Sequence, residues 1–156
     1  MTSFWTSGTI LGALLLAPAA AGAQAVREFG VIGAATASDP ALVAAGVYGA
    51  LRTSLRTRGS IAGMLGASEG EAAWRAELLM HFLLSPTRER GVGAYGAGGI
   101  GVVGGPADRS YVVLTIGIES RPAAPSGWFV EAGVGGGARA AAGYRWRRFP
   151  AGWPGF

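Results

Sequence analysis

The chain contains no cysteine and no lysine, so all 13 of its basic residues are arginines. Without thiols there is no disulfide framework, no thiolate metal site and no lipoprotein anchor. A single histidine, His81, excludes a multi-histidine zinc centre, and the carboxylates are scattered at spacings that match no metal loop. Charge is scarce too, at 14% of residues against 50% hydrophobic, with a mean hydropathy of +0.35. So small a charged fraction does not suit the exterior of a small soluble domain. Yet beyond residue 25 no apolar run is long enough to cross a bilayer as a helix.

The one continuous apolar run, Ile10-Leu-Gly-Ala-Leu-Leu-Leu16, stands before small residues that end in Ala23-Gln-Ala25, an A-x-A pattern. This predicts a secretory signal peptide over residues 1–25, cleaved to leave a mature chain from Val26. Residues 1–25 hold no charged side chain, so the whole formal charge of +4 belongs to the remainder, which is one domain in size. The basic excess raises the question of nucleic acid. The arginines are dispersed and no recognition motif accompanies them, so no nucleic-acid partner is expected.

What the mature sequence has in abundance is alternation. In Tyr111-Val-Val-Leu-Thr-Ile-Gly-Ile-Glu119, Val112, Leu114, Ile116 and Ile118 take one parity and Tyr111, Val113, Thr115, Gly117 and Glu119 the other. A period of two is a β-strand with one strongly apolar face. The pattern returns in Trp128-Phe-Val-Glu-Ala-Gly-Val-Gly135 and in Arg139-Ala-Ala-Ala-Gly-Tyr-Arg-Trp-Arg147. Turn signals divide residues 26–149 into strands at 27–38, 41–52, 59–67, 73–84, 92–103, 111–120, 127–135 and 139–149. Segment 68–84 competes with a helix, since Ser68-Glu-Gly-Glu71 resembles a capping box. Parity decides for strand, because Trp74, Ala76, Leu78, Met80, Phe82 and Leu84 separate cleanly from Arg75, Glu77 and His81.

Strands of about ten residues suit a tilted crossing of the hydrocarbon layer. The expected fold is therefore all-β: an eight-stranded antiparallel up-and-down transmembrane β-barrel over 26–149, behind a cleaved signal peptide and followed by a C-terminal tail, 150–156. Apolar side chains at alternate positions can face lipid without forming a continuous run. The connections sort into two sets: Arg56, Arg58, Arg88, Arg90 and Arg121 with Glu89 on the side of the termini, and Asp39, Glu69, Glu71 and Asp108 with Arg109 on the other.

The inward parity collects a polar cluster of Glu28, Arg75, Glu77, His81, Glu119, Glu131, Arg139, Arg145 and Arg147 among small residues. Charges buried there must be paired, which predicts a lumen closed by salt bridges. Gly136-Gly137-Ala138 is expected as a three-residue loop that sets Glu131 opposite Gly143 and diagonal to Arg145. Glu28 is expected to meet Arg145 or Arg147 where the first and last strands close the barrel. Aromatic residues near strand ends, Trp128, Tyr144, Trp146 and Phe149 at one end and Trp74 and Tyr111 at the other, are expected to form interfacial girdles.

Motifs that suggest chemistry do not survive their context. Gly66-Ala-Ser-Glu-Gly70 has the G-x-S-x-G form of a nucleophile elbow, but no α/β pattern surrounds it. Gly91-Val-Gly-Ala-Tyr-Gly96 fits G-x-G-x-x-G without the strand before and helix after that a dinucleotide site needs. No catalytic residue, cofactor or metal is expected.

With its Gly-rich strand Tyr95-Gly-Ala-Gly-Gly-Ile-Gly101 and the hairpin start Val130-Glu-Ala-Gly-Val-Gly-Gly-Gly137, the chain resembles the small outer-membrane β-barrel proteins of Gram-negative bacteria, of the outer membrane protein A and X type. The resemblance covers nearly all of 26–149. It implies outer-membrane lipid as the surrounding partner, the barrel-assembly machinery as a partner during biogenesis, a monomer, and termini on the periplasmic side. That family's last strand usually carries an assembly signal, a glycine followed by alternate aromatics. Gly143, Trp146 and Phe149 match it in part, while Arg148 and the tail depart from it. The function expected is structural or interactive and non-enzymatic. Two other readings compete: a soluble periplasmic lipocalin-like barrel for a small apolar ligand, which would need Val112, Leu114, Ile116 and Ile118 inside, and a narrow pore.

Overall fold

A computed structural model describes residues 25–106 and 108–153. The expected signal peptide up to Gln24, and Phe156 at the end of the tail, lie outside the described residues. The described residues form β1 (Val26–Ala37), β2 (Leu42–Arg52), β3 (Thr57–Ser68), β4 (Glu71–Leu83), β5 (Val92–Gly104), β6 (Arg109–Ser120), β7 (Ser126–Val134) and β8 (Ala138–Arg148). Each strand pairs antiparallel with the next, and β8 pairs with β1, so the sheet closes into a barrel. All eight expected strands are present with ends displaced by no more than two residues.

The ambiguous segment is strand β4, and the turn before it explains why. Ser68 pairs with Glu71, leaving a two-residue loop in which Glu69 and Gly70 have φ of 53° and 82°. Positive φ at both central positions is what a type I′ hairpin requires, and it matches the twist of the flanking strands. The capping-box reading of Ser68 to Glu71 is thereby replaced by a tight hairpin turn.

The strand registers fix the barrel's dimensions. Following Cα partners once around, Arg27 leads to Leu51, Gly59, Met80, Gly98, Leu114, Val134, Ala138 and back to β1 at Ala37, ten residues further along. Eight strands with that stagger tilt by about 40° and enclose an interior that side chains fill.

Even-numbered residues point inward in β1 to β3 and odd-numbered ones in β4 to β8. Outside stand the large apolar side chains, including Leu65, Ile61, Val112, Leu114, Ile116 and Ile118, with Leu65 and Ile116 about three-quarters exposed at 75% and 74%. The arrangement a lipocalin-like barrel requires is thus reversed. Inside, an apolar wall of Ile32, Leu42, Tyr48, Met64 and Phe129 packs from one flank, and charged side chains fill the rest.

Candidate functional site

The site is the lumen itself. Among the described residues six arginines and four glutamates are buried there: Arg52, Arg58, Arg75, Arg139, Arg145 and Arg147 with Glu28, Glu77, Glu119 and Glu131. They form two clusters joined by tyrosine.

The cluster nearer the loop between β7 and β8 is balanced. Arg75 Nε donates to Glu77 Oε1 at 2.6 Å and its Nη1 to Thr36 Oγ1 at 2.9 Å. Arg139 donates to both oxygens of Glu77, at 3.0 and 2.9 Å, and to Glu131 Oε2 at 2.9 Å. Two guanidinium groups thus meet two carboxylates, and Arg139 holds Glu77 in the forked geometry that is strong for this pair.

Tyr95 connects the halves. Its hydroxyl donates to Glu131 Oε1 at 2.9 Å and lies 3.5 Å from Arg145 Nη2. Arg145 also sits over the Phe129 ring, 4.1 Å from its centroid, a cation–π contact in a water-poor setting. His81 lies beside this link. Arg58 Nη2 is 3.2 Å from His81 Nδ1, and Ser60 Oγ is 2.8 Å from Nε2. A guanidinium can only donate, so Nδ1 accepts and the Nε2 proton goes to Ser60.

The cluster at the end of the termini is unequal. Arg58 and Arg145 each bridge Glu28 and Glu119. Arg52 adds a bond to Glu28 at 3.0 Å, and Arg147 adds one to Glu119 at 2.9 Å with Glu28 3.8 Å away. Four arginines therefore share two carboxylates.

All nine residues expected in the lumen are inward and buried. Two more charged residues belong with them. Arg58 was expected in a connection between strands, but β3 begins at Thr57 and carries Arg58 into the lumen between Glu28 and Glu119. Its even parity, shared with Ser60, Ala62 and Met64, was the available signal. Arg52, the last residue of β2, shares parity with Tyr48 and Ala50 and reaches Glu28.

Other expectations need correction. The β7–β8 loop is Gly135-Gly136-Gly137, with Val134 paired to Ala138, so Glu131 stands opposite Ala141 and diagonal to Arg139 rather than Arg145. Its ion pair is accordingly with Arg139. Tyr111 is not in an outward girdle. It has the inward parity of β6, and Arg75 sits over its ring at 5.5 Å, so it covers the lumen. Phe149 lies beyond the end of β8 and packs against Trp153. The outward strand aromatics are Phe29, Phe82, Trp128, Tyr144 and Trp146 at the end of the termini and Trp74 at the other. Phe29 stacks on Trp146 across the β1–β8 pair, with centroids 5.3 Å apart.

No protein-family model matches the chain, and no curated protein matches it. Its fold does have a counterpart. The crystal structure of the N-terminal β-barrel domain of Pseudomonas aeruginosa OprF is similar, with a TM-score of 0.61. The match covers 80% of this chain and 98% of the OprF domain at 10% sequence identity. At that identity the likeness is one of fold, the closed eight-stranded antiparallel barrel, and the chemistry must be read from this chain's own residues.

Proposed function

We propose that this chain is an exported, non-enzymatic outer-membrane β-barrel protein with a structural or interaction role. Outer-membrane lipid is its surrounding partner, and the barrel-assembly machinery receives it after cleavage near Ala25. It acts as a monomer. The observation that carries the reading is the inversion of faces: ion pairs fill the inside, and large apolar side chains cover the outside on every strand. In water that exterior has no means of solvation, whereas in lipid a closed ladder leaves no backbone group unpaired. The aromatic cluster of Phe29, Trp128, Tyr144 and Trp146 at one end, with Trp74 at the other, fits the two interfacial levels. The OprF-like fold supports the same location.

Cell fractionation tests it directly. The processed protein should sediment with outer membranes, and the detergent-folded form should change its gel mobility on boiling, because a closed barrel has no edge at which unfolding begins. Recovery from the periplasm without detergent would overturn the location. Identical mobility before and after boiling would count against a closed barrel.

A further inference from the structure

Among the described residues the lumen holds six arginines to four glutamates, and the excess is confined to one end. The cluster near the β7–β8 loop matches two arginines to two glutamates. At the end of the termini Arg52, Arg58, Arg145 and Arg147 share Glu28 and Glu119, and their side chains are 0–1% exposed. Arginine keeps its proton in proteins, so among the described residues two of these charges have no counterion. Every one of the four touches a carboxylate, but only Arg52 and Arg147 turn a terminal nitrogen away from the carboxylates onto backbone carbonyls, which marks them as the surplus pair.

Their remaining donors are poorly used. Arg52 Nη1 reaches Pro86 O at 3.4 Å, and Arg147 Nη1 reaches Arg121 O and Ala124 O at 3.3 and 3.1 Å. Charge-assisted bonds to an anion run to about 2.7–2.9 Å. These contacts are longer, and the carbonyls bring only partial charge. The Nε–H groups of Arg52, Arg58, Arg145 and Arg147 are all buried with no hydrogen-bond partner among the described residues. Buried charge that lacks compensation is strongly unfavourable. Above the surplus pair lie the turns that supply those carbonyls and the tail at 150–153, whose Trp153 ring faces the Arg52 guanidinium at 5.6 Å.

We propose that the end of the lumen nearest the termini is a binding site for a small inorganic anion of halide size, held between Arg52 and Arg147 beneath the turns and the tail. The anion supplies the missing charge, takes up the Nε–H and Nη1–H donors that now meet neutral carbonyls or nothing, and enters from the side of the termini. The inference concerns the lumen only and stands apart from where the barrel resides.

The test is unfolding of the detergent-folded full chain at constant ionic strength, with bromide replacing gluconate. Above the dissociation constant, each tenfold rise in bromide should shift the folding equilibrium about tenfold toward the folded state, while gluconate should have no such effect. Equal responses to the two salts would mean general screening and would overturn the site. Crystals grown in bromide should show an anomalous peak beside Arg52 and Arg147; its absence there overturns the proposal independently of any variant. Arg52→Met and Arg147→Met should each weaken the bromide dependence at least tenfold, and Glu28 keeps Arg58 and Arg145 in the first of them. Wild-type bromide dependence in both folded variants would also refute the assignment.

Discussion

Arg147 in β8 stands directly opposite Glu28 in β1 across the strand pair that closes the barrel, yet its shorter ion pair is with Glu119 of β6, two strands away on the other side. Facing position on the sheet and shortest contact are therefore different things in this lumen. The reason is geometric: in a narrow interior a long arginine side chain reaches past the adjacent strand as easily as it leans toward its cross-strand partner.

Double-mutant cycles should rank the two contacts. The cycle between Arg147 and Glu119, paired at 2.9 Å, should give the larger coupling, within the range of about 0.5–3 kcal/mol seen for residues in contact. The cycle between Arg147 and Glu28, at 3.8 Å, should give less. Equal coupling, or additivity for Glu119, would contradict this geometry.

A second test concerns how large side chains fit inside. Tyr95 in β5 pairs directly with Gly117 in β6, and a Cβ built on Gly117 would lie 2.5 Å from Tyr95 Cζ and 2.7 Å from its hydroxyl. Gly117→Ala must push the ring away from Glu131 and Arg145, so it should destabilise by about 1–3 kcal/mol. Gly49 in β2 has open space where a Cβ would be, and Gly49→Ala should change stability by no more than about 0.5 kcal/mol. Denaturant midpoints of the two variants, compared in one detergent, check the contrast.

These pairs show which parts of the fold were legible in the sequence. Alternation in 111–119 gave the inward and outward faces directly, because burial on one side of a strand writes itself as parity. The register between β7 and β8 is not legible in the sequence, because Gly135, Gly136, Gly137 and Ala138 offer nearly uniform chemistry and no side chain marks where the loop ends. Moving that loop by one residue changed the partner of Glu131 from Arg145 to Arg139. Arg58 was hidden for a related reason. Arg56-Thr-Arg58 before a glycine reads as a charged turn, and only the even parity that Arg58 shares with Ser60, Ala62 and Met64 claims it for the interior. Ion pairs such as Arg145 to Glu119 depend on several registers in succession, and local pattern does not carry that information.

Arg139 offers a measure of the balanced cluster. It holds Glu77 through two bonds and Glu131 through one, all buried. Arg139→Met removes the partner and leaves carboxylate charge behind, so unfolding free energy should fall by about 3–5 kcal/mol. A loss under about 1 kcal/mol would place the pair in the class of solvated surface bridges. In planar bilayers the wild-type barrel should show no steady conductance, since the ion pairs and Tyr95 link one half of the lumen to the other. Stable single-channel steps would promote the pore reading instead.

The exterior supplies the remaining test, one that separates a lipid-facing barrel from a soluble one. Ile116 lies within β6 and is 74% exposed on the outward face. If hydrocarbon surrounds it, Ile116→Arg brings a guanidinium into the bilayer and should cost about 2–4 kcal/mol near the midplane, with a smaller cost for the same change toward a strand end. If water surrounds it, the substitution replaces an exposed apolar group with a charged one and should leave stability within about 0.5 kcal/mol or improve solubility. Unfolding of Ile116→Arg in phospholipid vesicles, set beside Val134→Arg close to the end of β7, reads out both the sign and the depth dependence. A flat response at the two positions would remove the argument for a membrane around this barrel.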